Sequence, residues 1–184
     1  MDKDQILSRY SESKKRGCPT CDGLDPKSCM RCRGKAIHKT IELDVRGDLD
    51  EDNLPEWLQP VLAQWRKFCS DTGFKVIDSE KRLYHPTYDY AGTEDLFGEL
   101  RSELAYVDVK RTFFAGKVTG LQLAAYQAAD VQSHPERKNA SRYALRLNES
   151  QSYKLEPFTD KSDFQNFLVA LNFYRLRQRI AASC

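Results

Sequence analysis

Between Phe74 and Thr112 the hydrophobic period of the chain changes. Three successive runs, "FKVIDSEKRLYHP", "YAGTEDLFGEL" and "ELAYVDVKRT", are rich in β-branched and aromatic residues and are divided by charged or small turn residues. That is the pattern of consecutive antiparallel strands. A sheet needs an apolar cover, and the flanking segments supply it. In "GKAIHKTIELDVRG", Ala36, Ile37, Ile41 and Val45 recur at helical spacing with Gly47 as a stop. After the acidic connector "DLDEDNLPEW", Leu58, Val61, Leu62, Trp65 and Phe68 make a second amphipathic helix ending near Gly73. Beyond the strands, "GLQLAAYQAADVQ" returns to helix, "SRYALRLNES" and "YKLEPF" read as a further hairpin, and "DKSDFQNFLVALNFYRLRQRIAA" as a closing helix. The order predicts an α+β domain with a central mixed or antiparallel sheet flanked by helices.

A chain of 184 residues suits one compact domain with a small appendage. Charged residues make up 30% of it, yet the net charge is only +2, so overall balance does not mark a polyanion binder. No apolar run approaches the ~20 residues that cross a bilayer, and "MDKDQILSRY" lacks a signal-peptide core. Both predict a cytoplasmic protein without a membrane partner.

Six cysteines without an export signal point to metal ligands or reduced thiols rather than disulfides. Cys18 and Cys21 in "CPTC" and Cys29 and Cys32 in "CMRC" are two C-x-x-C pairs separated by residues 22–28. Each pair offers two thiolates, and four thiolates make a closed structural zinc site. An iron-sulfur cluster also takes four cysteines, and metal-free thiols are the third reading. The N-terminal unit, residues 1–34, is thus a short charged helix over residues 4–15 followed by the cysteine loop, which reaches Gly34. Lys14, Lys15, Arg16, Lys27, Arg31, Arg33 and Lys35 crowd around that loop, either to grip a DNA backbone or as a solvated basic face.

Side chains alternate across a strand, so Asp108 and Lys110 share one face while Val107 and Val109 take the other. An acid and an ammonium inside a sheet are costly to desolvate unless something is coordinated there. A tight turn between the strands brings Asp95 close to Asp108, and two carboxylates beside a lysine suit a hard divalent cation. The plainer reading is an ion pair on an exposed sheet face.

"GTEDLFGEL", "YVDVK" and "GLQLAAY" together resemble the motif series of the PD-(D/E)XK nuclease superfamily, in its RecB-like branch with the phage recombination exonucleases. The branch has a GxxD strand, a D-x-K strand and a Q-x-x-x-Y helix, matched by Gly92 and Asp95, by Asp108 and Lys110, and by Gln122 and Tyr126. Upstream, "RGKAIHKTIE" is similar to the family's first helical motif, with His38 and Glu42 one turn apart. The resemblance covers about residues 33–130. Glu80 matches, loosely, an acid on the first strand, and Arg111 departs from the small hydroxyl residue many relatives carry after the lysine.

The resemblance implies a restriction-endonuclease-like core over residues 35–184. It also implies a Mg²⁺- or Mn²⁺-dependent deoxyribonuclease, an exonuclease on linear duplex DNA in phage or bacterial recombination, with DNA and a single-strand annealing protein as partners. His38, Asp95, Asp108 and the Val109 carbonyl would hold the metal, and Lys110 would activate water and stabilise the phosphate. Glu42, Gln122 and Tyr126 would support the site or contact DNA. On the residues alone, His38 can equally be an ordinary helix histidine. Gln122 and Tyr126 can belong to an amphipathic helix packed through Leu121, Leu123, Ala124 and Ala125. The alternatives in function are a zinc-stabilised nucleic-acid- or partner-binding protein on the same fold and a structure-specific endonuclease.

Overall fold

The meander expected between Phe74 and Thr112 is the spine of the fold. The computed structural model describes residues 29–111, 116–147 and 152–183. The helix expected over residues 4–15, with Cys18, Cys21 and Cys184, lies outside the described residues. Two helices, α1 (Met30–Arg46) and α2 (Gln59–Thr72), precede β1 (Lys75–His85), β2 (Tyr90–Leu100) and β3 (Glu103–Lys110), which pair antiparallel in chain order. After α3 (Lys117–Asp130), β4 (Ser141–Arg146) lies parallel to β3, and β5 (Lys154–Pro157) returns antiparallel beside it. The closing helix is α4 (Asp163–Ala182). The chain is therefore α+β with a mixed five-stranded sheet whose spatial order is its sequence order. Among the described residues no helix is long and apolar enough to cross a membrane.

Left-handed Gly47 (φ 73°) and Gly73 (φ 66°) end α1 and α2 at the expected stops. The start of α1 differs from expectation, because Cys32 and Gly34 lie inside the helix and the cysteine loop ends at Cys29. Met, Arg and Lys favour helix, and anchoring by buried Ile37 and Ile41 outweighs the ~1 kcal/mol that an interior glycine costs.

α1 and α2 cover one sheet face. Ile37, Ile41, Leu62, Trp65 and Phe68 pack there against Leu96, Val107, Val109 and Leu145. The Trp65 indole N–H donates to Asp44 at 2.8 Å and ties the two helices together. α3 covers the other face, with Leu123 against Phe97 and Tyr106. Its C-terminal end is locked by buried Asp130, which accepts from Lys81 (3.0 Å), Tyr106 (2.9 Å) and Arg137 (3.0 Å). Glu94 is buried beside this cluster, and burial, then the Asp130 charge, pushes its carboxyl up to about 8.

α4 is seated on the far end of β1 by an aromatic cluster around His85, whose ring lies 4.9 Å from Tyr88, 5.3 Å from Tyr90 and 6.1 Å from Phe164. Burial lowers the His85 pKa below its ordinary 6.5. The unfolded chain then takes up a proton that the folded chain refuses. This contribution to stability is complete above pH 6.5 and is lost as the pH falls below it. Denaturant unfolding followed from about pH 7.5 to about pH 5 should lose stability by at most ~1.4 kcal/mol per pH unit from this group. His85→Phe, which keeps an aromatic ring in place, should remove that loss from the difference between the two proteins.

Candidate metal centre

The β2–β3 ladder runs from Leu100↔Glu103 to Leu96↔Val107 and no further. Beyond it β2 stays on β1 as far as Tyr90, while β3 stays on β4 as far as Lys110↔Arg146. The sheet therefore forks, and Asp95 and Asp108 face each other one register step into the opening. The Val109 N–H, deprived of a strand partner on this side, donates to Asp95 Oδ2 at 2.7 Å. On β1, Ser79↔Leu96 and Lys81↔Glu94 bracket the position where Glu80 meets Asp95. One cross-strand row thus carries Glu80, Asp95 and Asp108.

Glu80 holds φ 49°, a left-handed conformation that a non-glycine strand residue adopts only where its surroundings impose it. His38 stands beside the first two acids. Its Nδ1 is 3.3 Å from Asp95 and 3.4 Å from Glu80, and one ligand atom from each of the three residues lies within 4.8 Å of the others. α1 fixes the ring because Ile37 and Ile41, on either side of it, are buried in the core. Burial works against a charge on His38, but the Asp95 and Glu80 carboxylates outweigh it and raise its pKa to about 10. The trio thus already surrounds one positive charge. Two carboxylates and an imidazole are a donor set that fits a divalent ion such as Mn²⁺ or Mg²⁺.

Asp108 lies on the other side of Asp95, 1% exposed, with Lys110 Nζ 2.8 Å from its Oδ2. Burial and the Asp95 charge push Asp108 up to about 7, against the pull of Lys110 and His38. Lys110 is steered from α3: its ammonium donates to Gln122 Oε1 at 3.0 Å, and the Gln122 amide donates to the Tyr126 hydroxyl at 2.6 Å. A cleft of about 430 Å³ opens over this corner, with Lys35, His38, Glu80, Asp95, Gln122 and Tyr126 in its wall.

The structure brings together nearly all of the expected site. His38, Asp95, Asp108, Lys110, Gln122 and Tyr126 converge. Val109 takes part through its N–H. Glu42 lines the cleft but is engaged by Lys39 (3.0 Å) and Arg46 (2.8 Å) of its own helix. Cys29 precedes α1 and Cys32 sits in its first turn. Glu80, which sequence matched only loosely, is the member that geometry promotes, since its place depends on a backbone twist and a register that no local pattern encodes. No family model matches the chain, and no curated protein matches it.

Gly92 is the point of closest approach between β2 and α3, because a Cβ there would lie 2.6 Å from the Tyr126 ring. Gly92→Ala should therefore push Tyr126 away from Gln122 and destabilise the fold by ~1–3 kcal/mol, the usual range for overpacking. A double-mutant cycle on thermal unfolding checks it: in a Tyr126→Ala background the added methyl should cost little, whereas an unchanged cost would place the clash elsewhere.

Proposed function

We propose that the chain is a divalent-metal-dependent deoxyribonuclease of the PD-(D/E)XK type, acting as an exonuclease on linear duplex DNA. The observation that carries this reading is the row Glu80, Asp95 and Asp108 in the fork of the sheet, with His38 on one side and Lys110 on the other. His38, Glu80 and Asp95 would hold Mg²⁺ or Mn²⁺, with Asp108 close behind. Such an ion, when bound, lowers the pKa of a coordinated water and neutralises charge on a phosphodiester.

The remaining work falls to the chain itself. Lys110, oriented by Gln122, presents an ammonium to the phosphate oxygen on which charge builds in the transition state. Asp108, in the same row as Asp95 and paired with Lys110, would complete the acidic wall of the ion's site, and Lys110 would help to activate the attacking water. Lys35 on the cleft wall is placed to meet a neighbouring backbone phosphate. The restriction-endonuclease-like reading of the core rests on the same motifs and their placement on strand, strand and helix.

End-labelled linear DNA and closed circular DNA, each with and without Mg²⁺, test the reading. Linear DNA should be degraded only with the ion, and the circle should survive. Cutting of the circle would turn the assignment to an endonuclease. Asp108→Ala should abolish degradation with its circular dichroism unchanged. Lys110→Ala should keep Mn²⁺ and DNA binding and lose about a hundredfold or more in rate; wild-type cutting by this variant would reduce the lysine to an ion-pair partner.

The cysteine quartet is read as a structural zinc site that fixes the start of the helix bearing His38. Supporting this, Cys29 and Cys32 bracket that start. Four thiolates saturate a tetrahedral ion and leave no open position for water. Elemental analysis should give about one zinc per chain, and Cys18→Ser should lower thermal stability. About four irons with visible colour would replace zinc by an iron-sulfur cluster.

A further inference from the structure

The closing helix is apolar on two opposite faces. Phe164, Phe167 and Leu171 pack inward against Leu83, Tyr90 and Ala125. A second stripe faces away from the body: Val169 is 68% exposed, Phe173 68%, Leu176 47% and Ile180 57%. At 100° per residue the four lie within about 60° of one another, roughly opposite Phe167 and Leu171. Their spacing, four, three and four residues, is the a/d repeat of a coiled-coil seam. Asn172 and Arg179 flank the seam on one side, Ala170 and Arg177 on the other, and α4 carries no carboxylate after Asp163.

We infer that this stripe is the docking seam for an amphipathic helix of a partner protein whose own seam is flanked by acidic residues. The narrowness of the stripe matches a single helix rather than a membrane surface, which takes a broad apolar face. A second copy of the chain is the wrong occupant, because self-pairing would line one seam with the Arg177 and Arg179 guanidiniums of both copies and with no carboxylate of α4. Glutamates on a partner helix meet those arginines instead, adding rim ion pairs that select the partner and set its direction. This inference is independent of the nuclease reading, since it uses no residue of the cleft.

The test uses the full chain and two fluorescent synthetic helical peptides about four heptads long, identical in their Leu/Ile seams, one with Glu and the other with Lys at every flanking position. In anisotropy titrations the Glu peptide should bind at least about tenfold more tightly than its Lys twin, and added salt should narrow the gap. Arg177→Glu with Arg179→Glu should reverse the preference. Phe173→Glu should abolish binding with circular dichroism unchanged, because that side chain supports nothing in the core. Equal binding of both peptides, or binding of neither, overturns the proposal. So does self-association in sedimentation that Phe173→Glu removes, because a second copy would then cover the seam.

Discussion

Three carboxylates in one cross-strand row are an electrostatic problem that the fold has to solve. Like charges directly opposite each other destabilise a sheet, and here Glu80, Asp95 and Asp108 meet where burial also deprives them of water. The structure answers with one cation on each flank: protonated His38 from α1 beside Glu80 and Asp95, and Lys110 beside Asp108. Each cation is itself held by a helix, α1 through its buried isoleucines and α3 through Gln122. The two helical layers, seated by their apolar contacts, thus deliver the cations that neutralise the row of acids.

The second device is the fork itself. Had β2 and β3 continued to pair past Leu96↔Val107, the Val109 amide would have been spent on a strand carbonyl. Because they part, it donates to Asp95 and fixes that carboxylate directly. Tyr126 fills the side facing α3, and the bare Cα of Gly92 lets its ring approach. Backbone geometry and side-chain chemistry are here one arrangement, not a scaffold with a site added to it.

Much of this was legible in the sequence. β2 spans the residues expected of it, because its alternation is bounded by clear turn residues at both ends, and α3 and α4 follow their apolar periods closely. Of the residues that converge, Asp108 and Lys110 were legible from the alternation of β3 and Asp95 from the tight turn that brings it near, whereas His38, Gln122 and Tyr126 were picked out only by the resemblance of their motifs. Glu80 was harder, because its role follows from a positive φ and from register with Asp95. The Asp130 cluster was invisible, as Lys81, Tyr106 and Arg137 reach it from three different segments. The start of α1 was misplaced because Gly34 reads locally as a break, while the anchoring at Ile37 and Ile41 that overrides it is tertiary.

A forked sheet has a consequence for solubility. Where β2 and β3 separate, each gives up its ladder partner along an inner edge, the kind of edge on which a foreign strand can add and seed aggregation, and the Val109 N–H is taken up by Asp95 instead. Proteins blunt such edges with charges that point inward, because an intruding strand would have to bury them. Asp95, Asp108 and Lys110 stand at this gap. The acids and the lysine of this corner thus act as gatekeepers, and a variant that neutralises all three would leave the two edges unguarded.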